Sequence, residues 1–268
     1  MIDCHSHLLP SIDDGARDIS MSLEMARIAL DDGIHTMACT PHMFPGVYDN
    51  NASSIFLAAA NLERHLKIAD IPLKIVIGAD IHVTPNMATK LRSGELLTLN
   101  GSRYFLLEFP SNFAPPRMHD TVFNLLSSGY TPIITHPERL AWIEDEYDLM
   151  DAFARSGAWM QVTAGSLTGR FGRRIRYWSE RLLNDGLVHI LATDAHDCSR
   201  RPPRLHNAFL VAERYLGADE AERLVNGRPA MVMANADPSN VAPPPQFATR
   251  GARSRNKSRW RFWRSAGE

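Results

Sequence analysis

The first residues, Asp-Cys-His-Ser-His at positions 3–7 (DCHSH), place an acid and two histidines on alternate positions. Alternate side chains of an extended strand point to the same face, so Asp3, His5 and His7 would share one face. A buried strand normally presents apolar side chains, so this polar face indicates either a solvated chain end or part of a site. The rest of the chain decides between the two, because a site needs further ligands.

Apolar strand-like runs alternate with helical periodicity through most of the chain. The predicted strands are 1–4, 36–40, 73–79, 104–109, 131–135, 158–163 and 187–193. The clearest predicted helix has Met21, Met25 and Ile28 on one face and ends at Gly33. The other predicted helices lie near 53–68, 118–128, 146–156, 173–185, 204–216 and 218–226. Parallel strands need crossover connections, so the pattern predicts an α/β fold, with a seven-stranded (β/α) barrel as first choice and an open doubly wound sheet as the alternative.

The length and composition fit one large domain. The chain has 268 residues, of which 44% are apolar, and it contains neither a run long enough to cross a bilayer nor the features of a signal peptide. We therefore expect a cytoplasmic protein. The cysteines Cys4, Cys39 and Cys198 are too few and too scattered for a disulfide framework or a Cys-x-x-Cys zinc site.

The charges divide between an acidic body and a basic tail. The net charge is −1, yet residues 246–268 hold seven basic residues and one acid, so this stretch carries +6 and residues 1–245 carry −7. The prolines at 243–245 end the folded part, predicted as a domain over 1–240 followed by a disordered tail over 241–268. Trp260, Phe262 and Trp263 alternate with arginines, which fits contact with an anionic surface as well as a solvated tail. The acidic body disfavours nucleic acid as a partner.

Potential metal ligands follow almost every predicted strand. Six of the seven strand ends carry only histidine, aspartate or glutamate, namely His5 and His7, His42, Asp80, Glu108, His136, and Asp194 with His196. Asp13 and Asp14, in the loop after the first strand, add further acids. The carboxyl ends of barrel strands lie on one rim, so residues far apart in sequence would converge there. DCHSH therefore has partners and indicates a site.

The ligand types indicate a catalytic metal cluster. Imidazole and carboxylate together suit divalent Zn, Mn or Fe, and the absence of thiolate ligands argues against a closed structural zinc site. Eight or nine ligands exceed the needs of one ion, so we expect two or three divalent metals with a bridging acid. Such clusters commonly hydrolyse phosphate esters. Arg139 and Arg201 lie beside predicted ligands and suit phosphate binding, and Arg200 and Arg204 are alternatives to Arg201.

A second phosphatase chemistry fits the spacing of Cys198 and Arg204, which matches the Cys-x5-Arg pattern of cysteine-dependent tyrosine phosphatases. That chemistry needs backbone N–H groups around the phosphate and a lowered thiol pKa. Pro202 and Pro203 have no N–H to donate, and the stretch contains no glycine. We therefore disfavour a thiol mechanism.

The motifs DCHSHLLPSIDDG, TPH, LLEF, THPER and TDAH followed by RPP resemble those of the polymerase and histidinol phosphatase (PHP) superfamily. Over about residues 1–235 the chain is similar to its bacterial manganese-dependent protein-tyrosine phosphatases of capsule and exopolysaccharide synthesis, the CpsB/YwqE-like branch. The resemblance implies a distorted (β/α)7 TIM-like barrel, the PHP fold, with a three-metal centre on its C-terminal rim. It also implies a protein-tyrosine phosphatase that uses manganese, with iron or zinc as alternatives. The implied substrate is the tail of a tyrosine autokinase, which would bring the enzyme to the inner face of the membrane.

The resemblance carries residue roles over to this chain. The implied metal ligands are His5, His7, Asp14, His42, Glu108, His136, Asp194 and His196, and the implied phosphate-binding residues are Arg139 and Arg201. Asp80 stands where the family usually has glutamate, so we include it as a ligand and leave its bridging role open. Asp3 is predicted to support a histidine by a hydrogen bond rather than to bind metal. The alternative functions are a small-molecule phosphatase of the histidinol-phosphate type and an inactive metal-binding scaffold protein.

Overall fold

Short strands and helices alternate along residues 1–245, the part of the chain that the computed structural model describes. The strands are β1 (Ile2–Ser6), β2 (Thr36–Cys39), β3 (His42–Met43), β4 (Lys74–Ile77), β5 (Asp80–His82), β6 (Tyr104–Glu108), β7 (Thr131–Thr135), β8 (Trp159–Thr163) and β9 (Ile190–Ala192). The helices are α1 (Ile19–Asp31), α2 (Ala52–Ile68), α3 (Met87–Ser93), α4 (Met118–Ser127), α5 (Tyr147–Ser156), α6 (Ala164–Leu167), α7 (Arg173–Asn184), α8 (His206–Leu216), α9 (Ala218–Glu222) and α10 (Arg228–Met233). Every predicted strand is present, whereas α3, α6 and α10 were not predicted.

All strand pairs are parallel, which confirms the predicted α/β class. The strand order is β1-β2-β4 in one sheet and β3-β5-β6-β7-β8-β9 in the other. The short strands β3 and β5 were not predicted; each begins two residues beyond the end of β2 or β4. Pro41, which has no N–H for a ladder bond, lies between β2 and β3, and Gly78 lies between β4 and β5. A Cβ at Gly78 would lie 2.7 Å from Leu99 Cδ2, so a larger residue there would require the Leu99 side chain to move.

The end of β9 returns to the first strand. The backbone N–H of Asp194 donates to His5 O at 2.8 Å, and that of His7 donates to Ala195 O at 2.8 Å. A small apolar cluster contains strand residues from β1, β2, β4 and β6 to β9, namely Cys4, Ala38, Val76, Tyr104, Leu106, Ile133, Trp159, Ile190 and Ala192. A shared interior of this kind is what a closed barrel requires. These contacts support the predicted distorted seven-stranded barrel, which we propose for the sheet.

The helices cover the outside of the strands and form the larger apolar core with them. Helix α1 shows how the sequence sets this up. Asp18 caps it by accepting the N–H of Met21 at 2.8 Å, and Gly33 follows its end at φ +86°, a conformation that favours glycine. Met25 and Ala29 are fully buried on one face. Burial of a side chain such as Met25 contributes about 1.5–3 kcal/mol.

The C-terminal part of the described chain closes the end where the strands begin. Val241 packs into the small apolar cluster, and Tyr104 Oη donates to Ala236 O at 3.0 Å. Arg228 of α10 is buried there, with Nε donating to Ala242 O at 2.9 Å. The predicted domain boundary at residue 240 stays a prediction. Most of the predicted tail, residues 246–268, lies outside the described residues.

Candidate metal centre

The nine predicted ligands meet at the carboxyl ends of the strands. They form four overlapping groups of potential donor atoms, in each of which all atoms lie within 4.8 Å of one another. The groups are His7, Asp14, His42 and His196; His5, His7 and Asp80; His5, His136 and Asp194; and His42, Asp80 and Glu108. Five histidines and four carboxylates that are far apart in the sequence therefore lie close together, as the parallel topology predicts.

The distances between these donors suit a metal ion better than hydrogen bonds. His5 Nε2 lies 3.4 Å from both Asp80 Oδ2 and Asp194 Oδ1, and His196 Nε2 lies 3.3 Å from Asp14 Oδ1. Hydrogen bonds of this type are usually about 2.7–3.2 Å long. Donors bound at about 2.0–2.2 Å to one ion lie roughly 3.0–3.5 Å apart. The spacing therefore leaves room for ions between the side chains.

Several of these donor atoms are buried and have no hydrogen-bond partner among the described residues. They include both carboxylate oxygens of Asp80, Nδ1 of His42 and Nε2 of His196. A buried carboxylate without partners is unstable, because it has lost its hydration. Divalent cations at these positions would supply the missing partners, so the residues fit the predicted metals.

Asp80 occupies the middle of the cluster. Its Oδ2 lies 3.4 Å from His5 Nε2, 3.6 Å from His42 Nδ1 and 4.0 Å from His136 Nε2. It belongs to two of the four groups, and its side chain is fully buried. The shorter aspartate therefore still lies between two sets of donors.

Two polar residues orient the imidazoles of DCHSH. Gln161 Oε1 lies 2.9 Å from His5 Nδ1, and Asp13 Oδ2 lies 2.7 Å from His7 Nδ1. Such partners fix the ring orientation of a metal-binding histidine and leave its other nitrogen for the ion. The sequence analysis missed Gln161. A signal was available, since a glutamine inside the buried apolar strand β8 must find a hydrogen-bond partner.

Asp3 lies outside the four groups and contacts backbone rather than a histidine ring. Its Oδ1 accepts the N–H of Thr193 at 3.0 Å and that of His5 at 3.3 Å, and its Oδ2 accepts the Thr193 hydroxyl. Burial raises the pKa of this carboxyl to about 6, although these hydrogen bonds oppose the rise. Asp3 thus ties β1 to the segment that carries Asp194.

The predicted phosphate-binding arginines converge on one carboxylate. Arg139 Nη1 donates to Asp194 Oδ2 at 2.5 Å, and Arg201 Nη2 donates to the same oxygen. Arg204 instead lies 3.8 Å from Asp32, and Arg200 is exposed. Of Arg200, Arg201 and Arg204, it is Arg201 that contacts a residue of the cluster, and its role in binding phosphate stays a prediction.

His136 and Asp194 have unusual backbone conformations. Their φ angles are +34° and +51°, in the left-handed region that non-glycine residues rarely adopt. Strain of this kind persists where the surrounding structure enforces it, and it concentrates at functional sites. Here it places both side chains in one group with His5.

Burial and neighbouring charges shift the pKa values of the cluster in opposite directions. Burial lowers the pKa of His196 to about 4, and burial together with the Arg139 charge holds the pKa of His136 well below its usual value. These two rings are therefore neutral, the form that binds metal. Burial would raise the pKa of Asp194, but His5, Arg201 and Arg139 hold it well below its usual range. Burial likewise opposes protonation of His7, but the Asp13 and Asp194 carboxylates raise its pKa to about 10.

The loop that supplies Asp13 and Asp14 packs directly against His7. A Cβ added to Gly15 would lie 2.1 Å from His7 O, which no side chain can tolerate. The Gly15 N–H also donates to Asp13 Oδ1 at 2.9 Å. The glycine in DDG is therefore required to hold both acids beside the histidine.

One further histidine was not predicted. His82 Nδ1 lies 3.6 Å from Glu108 Oε2, and its ring stacks on Phe44 with the centroids 3.8 Å apart. His82 follows Asp80 by two residues on β5, so strand alternation was a signal for it. The Tyr48 ring stacks on that of His42 at 5.4 Å, so aromatic side chains line this edge of the cluster.

The cysteine interpretation is not supported. Cys198 Sγ lies 3.9 Å from Met21 O, and burial raises the pKa of its thiol. A nucleophilic cysteine needs the opposite shift.

No helix among residues 1–245 is both long enough and apolar enough to cross a membrane.

Comparisons with known proteins identify relatives of this chain. The family model for capsular polysaccharide synthesis proteins of the CpsB/CapC type matches residues 1–234. The chain is 38% identical over 219 residues to the tyrosine-protein phosphatase YwqE of Bacillus subtilis, covering 82% of this chain and 86% of that one. It is 29% identical over 241 residues to the tyrosine-protein phosphatase CpsB of Streptococcus pneumoniae, covering 87% of this chain and 98% of that one.

A solved structure from work on YwqE of Bacillus subtilis and CpsB of Streptococcus pneumoniae, described as unique metal-dependent tyrosine phosphatases, superimposes on this one with a TM-score of 0.85. The two chains are 36% identical, and the match covers 88% of this chain and 96% of the other. Fold and sequence therefore point to the same group of proteins.

Proposed function

The chain belongs to the CpsB/CapC family of capsular polysaccharide synthesis proteins, and from this premise we propose that it is a metal-dependent protein-tyrosine phosphatase. The observation that carries the proposal is the cluster of nine histidine and carboxylate side chains with two arginines at its edge. Metal ligands and planar cationic donors are two components that suit the metal-dependent hydrolysis of a phosphate monoester.

We assign the nine side chains as the metal ligands, with Asp80 between two sets of donors. The donor count and the overlap of the groups favour two or three divalent ions, and the mixture of imidazole and carboxylate fits manganese, iron or zinc. Bound divalent ions would provide hydroxide at neutral pH and charge neutralisation for the phosphate. Gln161 and Asp13 hold the rings of His5 and His7 so that their Nε2 atoms stay directed at the cluster.

Arg139 and Arg201 are proposed to bind the phosphate. Both donate to Asp194 Oδ2, so their guanidinium groups lie at the edge of the cluster and retain further N–H groups for phosphate oxygens. Arginine pairs with phosphate in a planar, bidentate geometry that stabilises the charge of the transition state. The phenol of phosphotyrosine has a pKa of about 10, so its departure needs little help from a general acid.

One side of the cluster is partly exposed to solvent, so a substrate can reach it from the protein surface. Asp14, at 45% side-chain exposure, and Glu108, at 18%, are more exposed than the fully buried Asp80. Phe44 and Tyr48 lie on the same side and present aromatic surface beside His82 and His42. An aromatic phosphate ester could pack against these aromatic side chains, so it fits the site better than a small polar phosphate ester does.

The protein substrate is proposed to be a tyrosine-phosphorylated tail of an autokinase, which would hold the cytoplasmic enzyme near the inner face of the membrane. This part of the proposal derives from the resemblance of the motifs to the family. The basic tail is proposed as a contact for an anionic surface, on the strength of its sequence alone.

An inactive scaffold is less well supported than an enzyme. Its one argument was the aspartate at position 80, and Oδ2 of that residue lies 3.4 Å from His5 Nε2 and 3.6 Å from His42 Nδ1, close enough to share metal ions with both rings. An inert protein has no use for buried, unpartnered donors of this number.

The test is hydrolysis of a phosphotyrosyl peptide, with the metal content counted on the same sample. We expect a strong chelator to abolish turnover and Mn²⁺ to restore it. Comparison with histidinol phosphate separates the protein phosphatase from the small-molecule enzyme, because the proposed function requires the higher kcat/KM on the peptide. Full activity in a sample shown to be free of metal would refute the proposal.

A further inference from the structure

A small cationic cavity lies beside the proposed phosphate site. Its volume is about 50 Å³, and its lining includes the side chains of Arg170, Arg201 and Arg204 with Thr168 and Asn207. Within the described chain, none of the residues that line it is an acid. This is notable because residues 1–245 carry an excess of negative charge.

The cavity shares Arg201 with the catalytic site. One end of that guanidinium donates to Asp194, whereas its Nε is buried and has no acceptor among residues 1–245. Phe171, which also lines the cavity, lies 5.2 Å beneath the guanidinium of Arg139. The cavity therefore adjoins both proposed phosphate-binding arginines, Arg201 directly and Arg139 through Phe171.

The charges of the two outer arginines are at most weakly compensated within the described residues, since Arg170 contacts backbone carbonyls and Arg204 contacts one carboxylate at 3.8 Å. Arg170 Nη1 donates to the carbonyl oxygens of Ser199 and Arg200 at 3.2 and 3.0 Å, which fixes the guanidinium but leaves its charge uncompensated. Arg204 lies 3.8 Å from Asp32, whose other oxygen accepts two backbone N–H groups of the start of α8. An anion in the cavity would accept hydrogen bonds from fixed cationic donors and from the unpartnered Nε of Arg201.

We propose that this cavity binds a carboxylate of the protein substrate, from an aspartate or glutamate close in sequence to the phosphotyrosine. Arg170, Arg204, Thr168 and Asn207 are exposed, whereas Arg201 and the buried Thr193 lie deeper. The carboxylate of an acidic residue extends less far from its backbone than the phosphate of phosphotyrosine. An acidic side chain can therefore occupy the outer cavity while the neighbouring phosphate reaches the metal cluster. The inference rests on the proposed phosphatase function and specifies its substrate.

The experiment compares phosphotyrosyl peptides that carry one glutamate at position −2, −1, +1 or +2 with matched glutamine peptides, all with the full-length metal-loaded enzyme. At one or more positions the glutamate peptide should have a kcat/KM about fivefold higher, mainly through KM, as expected for a partly exposed charge pair. The variants Arg170→Gln and Arg204→Gln should each bring that ratio close to one. Arg214→Gln is the matched control, because Arg214 is exposed near the far end of α8 and its loss changes the net charge equally.

The outcomes are distinguishable. If no phosphotyrosyl peptide is hydrolysed, the proposed function fails and this inference fails with it. If glutamate and glutamine peptides are hydrolysed equally well at all positions, or if the preference survives in both folded variants, only the inference is overturned. Weaker inhibition by inorganic phosphate in Arg170→Gln without any peptide preference would assign the cavity to free phosphate and would also overturn it. Two variants are used so that a folding defect in one, detected by its melting temperature, leaves the other to decide.

Discussion

Buried charges lie at both ends of the strands, but they are compensated differently. Where the strands begin, Arg228 Nη2 lies 2.7 Å from Glu220 Oε1, and both side chains are almost completely buried. Where the strands end, Asp80 Oδ2 lies 3.4–4.0 Å from the ring nitrogens of three histidines, a wider spacing than that of the Arg228–Glu220 pair. The first arrangement balances its charges at contact distance, whereas the second keeps its donors apart.

The difference separates a structural site from a functional one. In an ion pair at contact distance the two side chains neutralise each other, so neither is left to bind a ligand. Their mutual attraction offsets the cost of burying the two charges. A set of buried donors spaced for metal–ligand bonds is complete only when cations are present. Burial of charge alone therefore does not identify a site, whereas burial combined with unmet coordination does.

The largest effect is expected from Asp80→Asn, which removes charge from the centre of the cluster with almost no change in volume. We expect kcat/KM for a phosphotyrosyl peptide to fall by about 1000-fold or more, together with loss of bound metal. Activity assays combined with elemental analysis measure both. If the comparison between the two ends is wrong, Asp80→Asn will bind a full complement of metal and keep its activity.

Arg228→Met tests the other end, because it leaves buried Glu220 without the closer of its two arginine partners, Arg228 at 2.7 Å and Arg223 at 3.1 Å. We expect the free energy of unfolding to fall by about 3–5 kcal/mol, while kcat and metal content of the folded fraction stay unchanged. Chemical denaturation and activity assays supply the two readouts. The double variant Glu220→Gln/Arg228→Met is the control and should be more stable than the single one. A loss of metal in either variant would contradict the separation of the two ends.

Gln161→Leu removes a hydrogen bond to a proposed ligand without removing a ligand. We expect metal affinity to weaken by about 10- to 100-fold, with kcat largely restored at saturating metal. Metal titration of activity measures this, and Gln161→Glu, which keeps an acceptor for His5 Nδ1, is the matched control. Equal affinity in Gln161→Leu and the unaltered protein would show that the ring needs no such support.

The smallest effect concerns His189, which lies before β9 at the end where the strands begin. Burial and the charge of Arg228 lower its pKa to about 3, so the folded protein keeps it neutral while the unfolded chain protonates it below about pH 6.5. Below pH 6.5 the unfolded state therefore binds more protons than the folded state. The contribution of His189 to the free energy of unfolding is lost as the pH falls from 6.5 towards 3. Between pH 7 and pH 5.5 we expect a loss of about 1 kcal/mol, absent in His189→Gln. Denaturation curves of both proteins at the two pH values give the difference, and parallel pH dependences would refute it.

The convergence of the nine donors could be predicted from the sequence because eight of them lie at or just after the end of a predicted strand, and Asp14 lies in the loop after the first one. Parallel topology then brings residues as distant as His5 and His196 onto one rim. The strands themselves were predictable from apolar runs such as 131–135, which is fully buried. The breaks after β2 and β4 were not predicted, because the apolar runs were interpreted without regard to Pro41 and Gly78, the two residues that mark the breaks.

The residues that the sequence left out act through contacts made only in the folded state. Gln161 is 156 residues away from the ring that it orients, and no short motif connects the two. Asp3 was expected to support a histidine, but its carboxylate binds backbone N–H groups that only the return of β9 brings near. The helices α6 and α10 contain four and six residues, too few for helical periodicity to show.

The two ends of the described chain differ in how well they would tolerate an added label or linker. The ammonium group of Met1 donates to Gly33 O at 2.5 Å, so an extension in front of it would displace a contact next to β1, the strand that carries DCHSH. Ala242, in contrast, is bound beside Arg228, on the face opposite the nine donors. A label, affinity handle or surface linkage joined after residue 245 would therefore start from the rear of the molecule and leave the ligand-bearing rim turned towards its substrate.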